Sequence, residues 1–200
     1  MTDSKTKASA APALRGEAVR QRVIDAAERL LRQGKAEFSM RDLASEAGVS
    51  FATPFNQFGS KAAILHALSD RRIDRMEARF VAVAPTGNVA DRVLVAVEAA
   101  VAVMLEEPIV NRAVMGWLGT AGPAPGRVLA RSSALWALAL ADGDGLPTDR
   151  RDEALRSLPA LLAFGFRGVL SFWTAGEVPD ADLAARARAI AHGVLRGFVG

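Results

Sequence analysis

The stretch Ser39–Lys61, SMRDLASEAGVSFATPFNQFGSK, decides how the 200-residue chain is read. Ser39 followed three residues later by Asp42 is a capping box, in which a hydroxyl and a carboxylate satisfy amide groups left open at a helix start. Met40, Leu43, Ala44 and Ala47 recur at helical spacing and draw one apolar stripe. Gly48 ends that helix, because a left-handed residue at a helix C-terminus costs least without a Cβ. Val49 plugs the corner, and Ser50 is a suitable N-cap for a second helix running to about Phe58. Two short helices joined at such a glycine are a helix-turn-helix signature.

In a unit of this kind the second helix enters the DNA major groove, where its leading residues meet base edges while surrounding polar groups grip phosphates. Pro54 and Phe58 are four apart and share the core-facing side, which turns Phe51, Ala52 and Phe55 outward. Apolar side chains there suit thymine methyl groups or sugar carbons, and Thr53, Asn56 and Gln57 suit phosphates or bases. Lys61, just after the Ser60 cap of the next helix, adds a phosphate-binding charge. The candidate DNA-binding residues are Ser39, Arg41, Ser50, Phe51, Ala52, Thr53, Phe55, Asn56, Gln57 and Lys61.

RQRVIDAAERLL at residues 20–31, then the quoted stretch, then an apolar helix together resemble the N-terminal domain of the tetracycline-repressor (TetR) family of bacterial regulators, over about Val19 to Leu68. The resemblance implies an all-α chain in which a three-helix DNA-binding domain precedes a larger helical effector-binding and dimerisation domain. It also implies phosphate contacts from Ser39, Ser50, Thr53, Phe55, Asn56, Gln57 and Lys61, with Phe51 and Ala52 nearest the bases. Three positions depart from the family pattern: Pro54 stands where an aliphatic residue is usual, close enough to the helix start to forfeit at most one backbone hydrogen bond, and the other two bear on DNA contact. A tyrosine usual in the family is replaced by Phe55, which removes a phosphate-binding hydroxyl, and a frequent histidine is replaced by Gln57.

Composition fits a DNA-binding end. Residues 1–75 hold thirteen Lys or Arg against nine Asp or Glu, a net of +4, whereas residues 76–200 hold twelve against thirteen, a net of −1. A positive excess beside the motif is the sign a phosphate-binding surface requires. The absence of cysteine excludes disulfides and thiolate metal sites and suits a reducing cytoplasm. No charge-free apolar run approaches the ~18 residues of a membrane span, so a cytoplasmic protein with no membrane partner is expected.

The chain then reads as a disordered tail (1–15), a helix-turn-helix domain (16–66) and a helical effector and dimerisation domain (67–200). Helices are expected from about Gly16 to Gln33, Ser60 to Val83, Asn88 to Glu106, Ile109 to Thr120, Arg127 to Ala141, Asp149 to Ala175, and Asp180 to about Val199. Arg71, Arg72 and Arg75 read as a solvated face. The last two helices carry more apolar surface than one pair can bury, and Leu162, Phe166, Val169, Leu170, Trp173, Ile190, Val194 and Phe198 are expected at a homodimer interface. Met104, Met115, Trp117, Leu118, Trp136 and Phe164 are candidates for an effector cavity, with Asn111, Arg112 and Thr120 as its nearest polar groups and a largely apolar small molecule as its occupant.

His66 and His192 stand alone, and DGDG at 142–145 lacks the later ligands of a calcium loop. No nucleophile elbow or phosphate-cradling loop is present. Neither an enzyme nor a cofactor is expected. The reading is a dimeric regulator, a repressor released from double-stranded operator DNA by an effector. Alternatives are a helical ligand-binding protein or enzyme with an inactive helix-turn-helix, and a DNA-binding dimer that takes no ligand.

Overall fold

The computed structural model describes residues 7–118 and 126–198, with side chains from residue 15 onward. Among these residues there are nine α-helices and no strand: α1 Lys7–Arg32, α2 Met40–Ala47, α3 Ala52–Phe58, α4 Lys61–Val83, α5 Val89–Glu106, α6 Pro108–Trp117, α7 Arg127–Leu140, α8 Arg151–Thr174 and α9 Leu183–Arg196. A 3₁₀ turn at Asp180–Asp182 leads into α9. The architecture is all-α, as expected from the sequence. The chain divides into two units, Met1–Leu68 and Ser69–Gly200, with the division inside α4.

Local chemistry sets most helix ends. The Asn88 side chain accepts from the Ala90 and Asp91 amides at 2.8 and 3.1 Å, while the Asp91 carboxylate accepts from the Asn88 amide. The Ser60 hydroxyl accepts from the Ala63 amide and opens α4. One boundary departs from expectation: α1 begins at Lys7, inside the stretch read as a tail. The sequence at 8–14 is rich in alanine, the best helix former, and extending an established helix costs far less than starting one. Residues 1–6 and Thr120 lie outside the described residues.

In the first unit α1 packs on α2 and α3. Val23, Ile24, Ala27, Leu30 and Leu31 of α1 are buried with Leu43, Ala44 and Ala47 of α2 and Ile64, Leu65 and Leu68 of α4. Phe38, just ahead of α2, is also buried. Arg29 Nε meets Glu46 Oε1 at 2.6 Å and ties α1 to the end of α2.

In the second unit α8 packs against α6, α7 and α9, and α5 lies against α7 and α9. The α8 stripe corrects the dimer-face expectation. Leu162, Phe166, Leu170 and Trp173 are buried inside the chain, and Trp173 is fully enclosed. Arg112 lies over the Trp173 ring at 4.4 Å, and the indole donates to Asp180 Oδ1 at 2.8 Å. Val169, Val194 and Phe198 are partly buried against the same core, and Ile190 is exposed. Helical period places Leu158, Leu162 and Phe166 on one face but cannot say which face turns inward. The apolar residues that α8 exposes are Leu161, Phe164 and Phe172. With apolar residues on both faces, α8 is the one described helix long and apolar enough to cross a membrane by length and composition.

Ion pairs fasten α4 within this unit. Arg127 meets Asp70 at 2.6 Å, Arg131 meets both Asp74 and Glu77, and Glu106 holds Arg75 and Arg79. Arg72 is not solvated as expected: it is 3% exposed, beneath α6.

Candidate functional site

Ser39 opens α2 with extended backbone, φ −86° and ψ 165°. Its hydroxyl accepts from the Asp42 amide at 3.1 Å and donates to Asp42 Oδ2 at 2.8 Å, and that carboxylate also accepts from the Ser39 amide at 2.8 Å. These bonds to Ser39 hold the Asp42 carboxyl below its usual range. The Ser39 hydroxyl is therefore engaged in the cap, and a phosphate would have to share it. Gly48 sits at φ 63°, ψ 41°, and amides at the corner return to carbonyls of the last turn of α2. The left-handed conformation reverses the chain within one residue and aims α3 away from α2.

The helix after the corner begins one residue later than the Ser50 cap implies. Ser50 Oγ lies 2.8 Å from Thr53 Oγ1, and the Ser50 carbonyl accepts from the Thr53 amide, so Ser50 closes a turn leading into α3. Pro54 is buried, which leaves Phe51 and Phe55 outward at 53% and 42% exposure. Their rings meet edge to face with centroids 5.5 Å apart, and the Arg41 guanidinium stands 5.7 Å from the Phe51 centroid. Ala52 and Asn56 are exposed on the same short helix, with Thr53 and Gln57 partly so. Arg20, which sequence reasoning passed over, donates to the Gln57 carbonyl at 3.1 Å and covers the Phe58 ring at 4.2 Å. It anchors the back of α3 to α1.

Lys61 is tied inward. Its Nζ donates to the Ala36 carbonyl at 2.8 Å and lies 4.4 Å above the Phe38 ring. Burial lowers its pKa, with the Glu37 charge acting in the opposite direction. The structure thus gathers Ser39, Arg41, Ser50, Phe51, Ala52, Thr53, Phe55, Asn56, Gln57 and Lys61 in one unit, and on α3 it presents an aromatic pair edged by small polar groups.

The second unit holds a partly open cavity of about 60 Å³, room for a few waters. Met104, Met115, Leu118 and Trp136 line it as expected, whereas Trp117 and Phe164 do not. Phe164 is 57% exposed, on the side of α8 opposite the wall. Asn111 is a lining polar group. Arg112 is not: it donates to the Trp173 carbonyl and to Asp180. The sequence reading missed Arg72 and Arg167, which both reach the cavity, and placed Phe166 and Leu170 at a dimer face although they form its wall. The signal available was an arginine at 167 between apolar residues at 163, 166 and 170, one helical face with a charge in its middle. Among the described residues no cluster of His, Cys, Asp and Glu could hold a metal ion.

Comparison with known proteins agrees with the motif. Residues 23–68 match the family described as bacterial regulatory proteins, tetR family. An uncharacterized HTH-type transcriptional regulator of Mycobacterium tuberculosis, found in strains CDC 1551 / Oshkosh and ATCC 25618 / H37Rv, is 32% identical over 162 residues, 76% of this chain and 78% of the relative. The fold is similar to the crystal structure of a TetR transcriptional regulator from Rhodococcus sp. RHA1, with a TM-score of 0.68 and 24% identity over 90% of this chain and 97% of that one. With the capping box, the left-handed Gly48 and α3 in place, and similarity that runs through most of both chains, the chain belongs to the TetR family of bacterial regulatory proteins.

Proposed function

We propose that this protein, a DNA-binding transcriptional regulator by family, is a cytoplasmic homodimeric repressor that grips operator DNA with α3 and releases it when a small molecule fills the cavity of the second unit. The observation that carries the DNA-binding mode is the exposed Phe51–Phe55 pair. Two large aromatic side chains held outward on a seven-residue helix find apolar partners on thymine methyl groups and sugar carbons. Ser50, Thr53, Asn56 and Gln57 beside them, and Ser39, Arg41 and Lys61 around them, supply donors for phosphates.

Dimerisation is assigned to the exposed apolar residues Leu161, Phe164 and Phe172 of α8 with Ile190 of α9. A twofold pair of such faces makes a four-helix bundle and sets two reading helices on the half-sites of a pseudopalindrome. The cavity is assigned to the effector because adaptable methionines and an indole line it beside a few polar groups, the composition typical of small-molecule sites. An effector shifts the DNA-binding equilibrium only by its difference in affinity between the two states, typically ~1–3 kcal/mol of coupling.

The test is a fluorescence-anisotropy titration of the full chain against its own upstream intergenic DNA beside a scrambled duplex. Sequence-preferring binding is expected, and replacing both Phe51 and Phe55 with alanine should weaken it about tenfold or more, since fully burying one such side chain contributes ~1.5–3 kcal/mol. Unchanged affinity in the double variant would remove α3 from the reading surface.

A further inference from the structure

We propose that the cavity takes a compact apolar monocarboxylic acid whose carboxylate is held by the guanidinium of Arg167. This rests on reading the cavity as the effector site, and it adds the chemical class of the ligand.

The argument is a charge balance. Two guanidinium groups reach the cavity, and they differ in what surrounds them. Arg72 of α4 has a counter-charge beside it: Nε donates to Asn111 Oδ1 at 2.7 Å, and a terminal nitrogen lies 3.7 Å from Glu107, although Nη1 itself makes no hydrogen bond. Asn111 is itself fixed, its amide donating to the Val103 and Met104 carbonyls at 3.0 and 2.9 Å. The Arg72 charge is thus neutralised by Glu107 within the wall.

Arg167 has no such arrangement. It sits on α8 between Ala163 and Leu170, partly buried, and makes no hydrogen bond or ion pair with any described residue. Burial lowers its pKa and no neighbouring charge opposes that. A guanidinium stays protonated at any physiological pH, so it cannot relieve the situation by losing its proton. A positive charge that shares a largely apolar lining with Met104, Met115, Trp136 and Phe166, partly in water and with no counter-charge, is a good element of a binding site.

One uncompensated charge calls for a monoanion. The planar fork of the guanidinium matches the two oxygens of a carboxylate, and Ser69 of α4 and Ser132 of α7 add hydroxyl donors to the same lining. The remaining walls are apolar and the free volume is small, which points to a short aliphatic or single-ring acid. The polar end of the ligand is therefore specified, where composition alone indicates only an apolar molecule.

Isothermal titration calorimetry on the full chain tests this with butanoate, hexanoate, benzoate and phenylacetate, each beside its primary amide. At least one acid is expected to bind about tenfold or more tightly than its amide, as a charge-assisted bidentate contact implies. Arg167→Met should abolish that preference while leaving amide binding in place. Arg167→Lys, which keeps the charge and loses the fork, should retain part of it. Ligand-free Arg167→Met is expected to melt above the parent, and that melt also shows that the variant folds. Equal binding of acids and amides, no binding by any acid of the panel, or a preference that survives Arg167→Met would overturn the proposal. Operator release is followed separately by anisotropy. Acids that bind through Arg167 without freeing DNA would leave the carboxylate site standing and remove the effector reading, and release by neutral ligands indifferent to Arg167 would do the reverse.

Discussion

In the first unit, the caps and corner that set α2 and α3 find their partners within a few residues, Ser39 with Asp42, Gly48 with the last turn of α2, Ser50 with Thr53, while Arg20 and Lys61 add longer reaches to the Gln57 and Ala36 carbonyls. In the second unit, the cavity is assembled from Ser69 to Leu170, and the Arg72–Asn111 bond joins positions separated by two helix connections. The first region relies mostly on local bonds at the surface, each worth little and in contact with water. The second depends on a few buried contacts between distant segments, where a lost partner cannot be replaced by solvent. The difference shows where each region is vulnerable: the surface one loses stability in small steps, the buried one in a single large one.

The largest expected effect is therefore at Asn111. Asn111→Leu leaves the Arg72 Nε and the Val103 and Met104 carbonyls without partners in a closed interior, and should cost about 2–4 kcal/mol in urea unfolding. A loss no larger than that of a surface turn would erase the contrast between the regions. Gly48→Ala comes next. An added Cβ there meets nothing within 4 Å, so the cost comes from the left-handed backbone alone, about 1–2 kcal/mol. A much greater loss would show that the corner is bound into the tertiary packing rather than being a local device.

The smallest effect is a pH dependence at Asp42. Bonds from Ser39 depress its pKa in the folded state, so its contribution is present above the unfolded pKa and is lost as pH falls through the folded one. The stability difference between the parent and Asp42→Asn should be flat above about pH 5 and close below about pH 4. Denaturant melts across that range check it, and a gap that widens toward acid would contradict the cap as drawn.

The same division explains what could be read in advance. Ser39, Asp42, Gly48, Asn88 and Ser60 act on neighbours a turn away, so the order of residues contains their roles. Leu162, Phe166, Leu170 and Trp173 share a helical face, and the period revealed the face but not its direction. Two apolar stripes lie on α8, and only packing against α6, α7 and α9 decides that Leu161, Phe164 and Phe172 are the ones left outside. Arg72 and Arg167 were invisible as interior residues because an arginine's environment is set by whatever folds over it. Glu107 and Asn111, which make burial of Arg72 tolerable, lie on a different helix and its approach. In the head the sequence disclosed the caps and the corner but not the start of α1 or the role of Arg20, while in the body it disclosed which side chains were available and not their arrangement.

The ion pairs that fasten α4 have a further consequence for experiments. Arg127–Asp70, Arg131–Glu77 and Arg79–Glu106 join partly exposed groups, and dissolved ions screen such pairs over about a Debye length, ~8 Å at physiological ionic strength. Salt also governs any protein that neutralises phosphates, because binding displaces condensed counterions from the duplex. Ionic strength therefore acts on this molecule twice, once at the nucleic acid and once where α4 meets α5 and α7. A denaturation series in the same salt range without DNA reports the second of these effects alone.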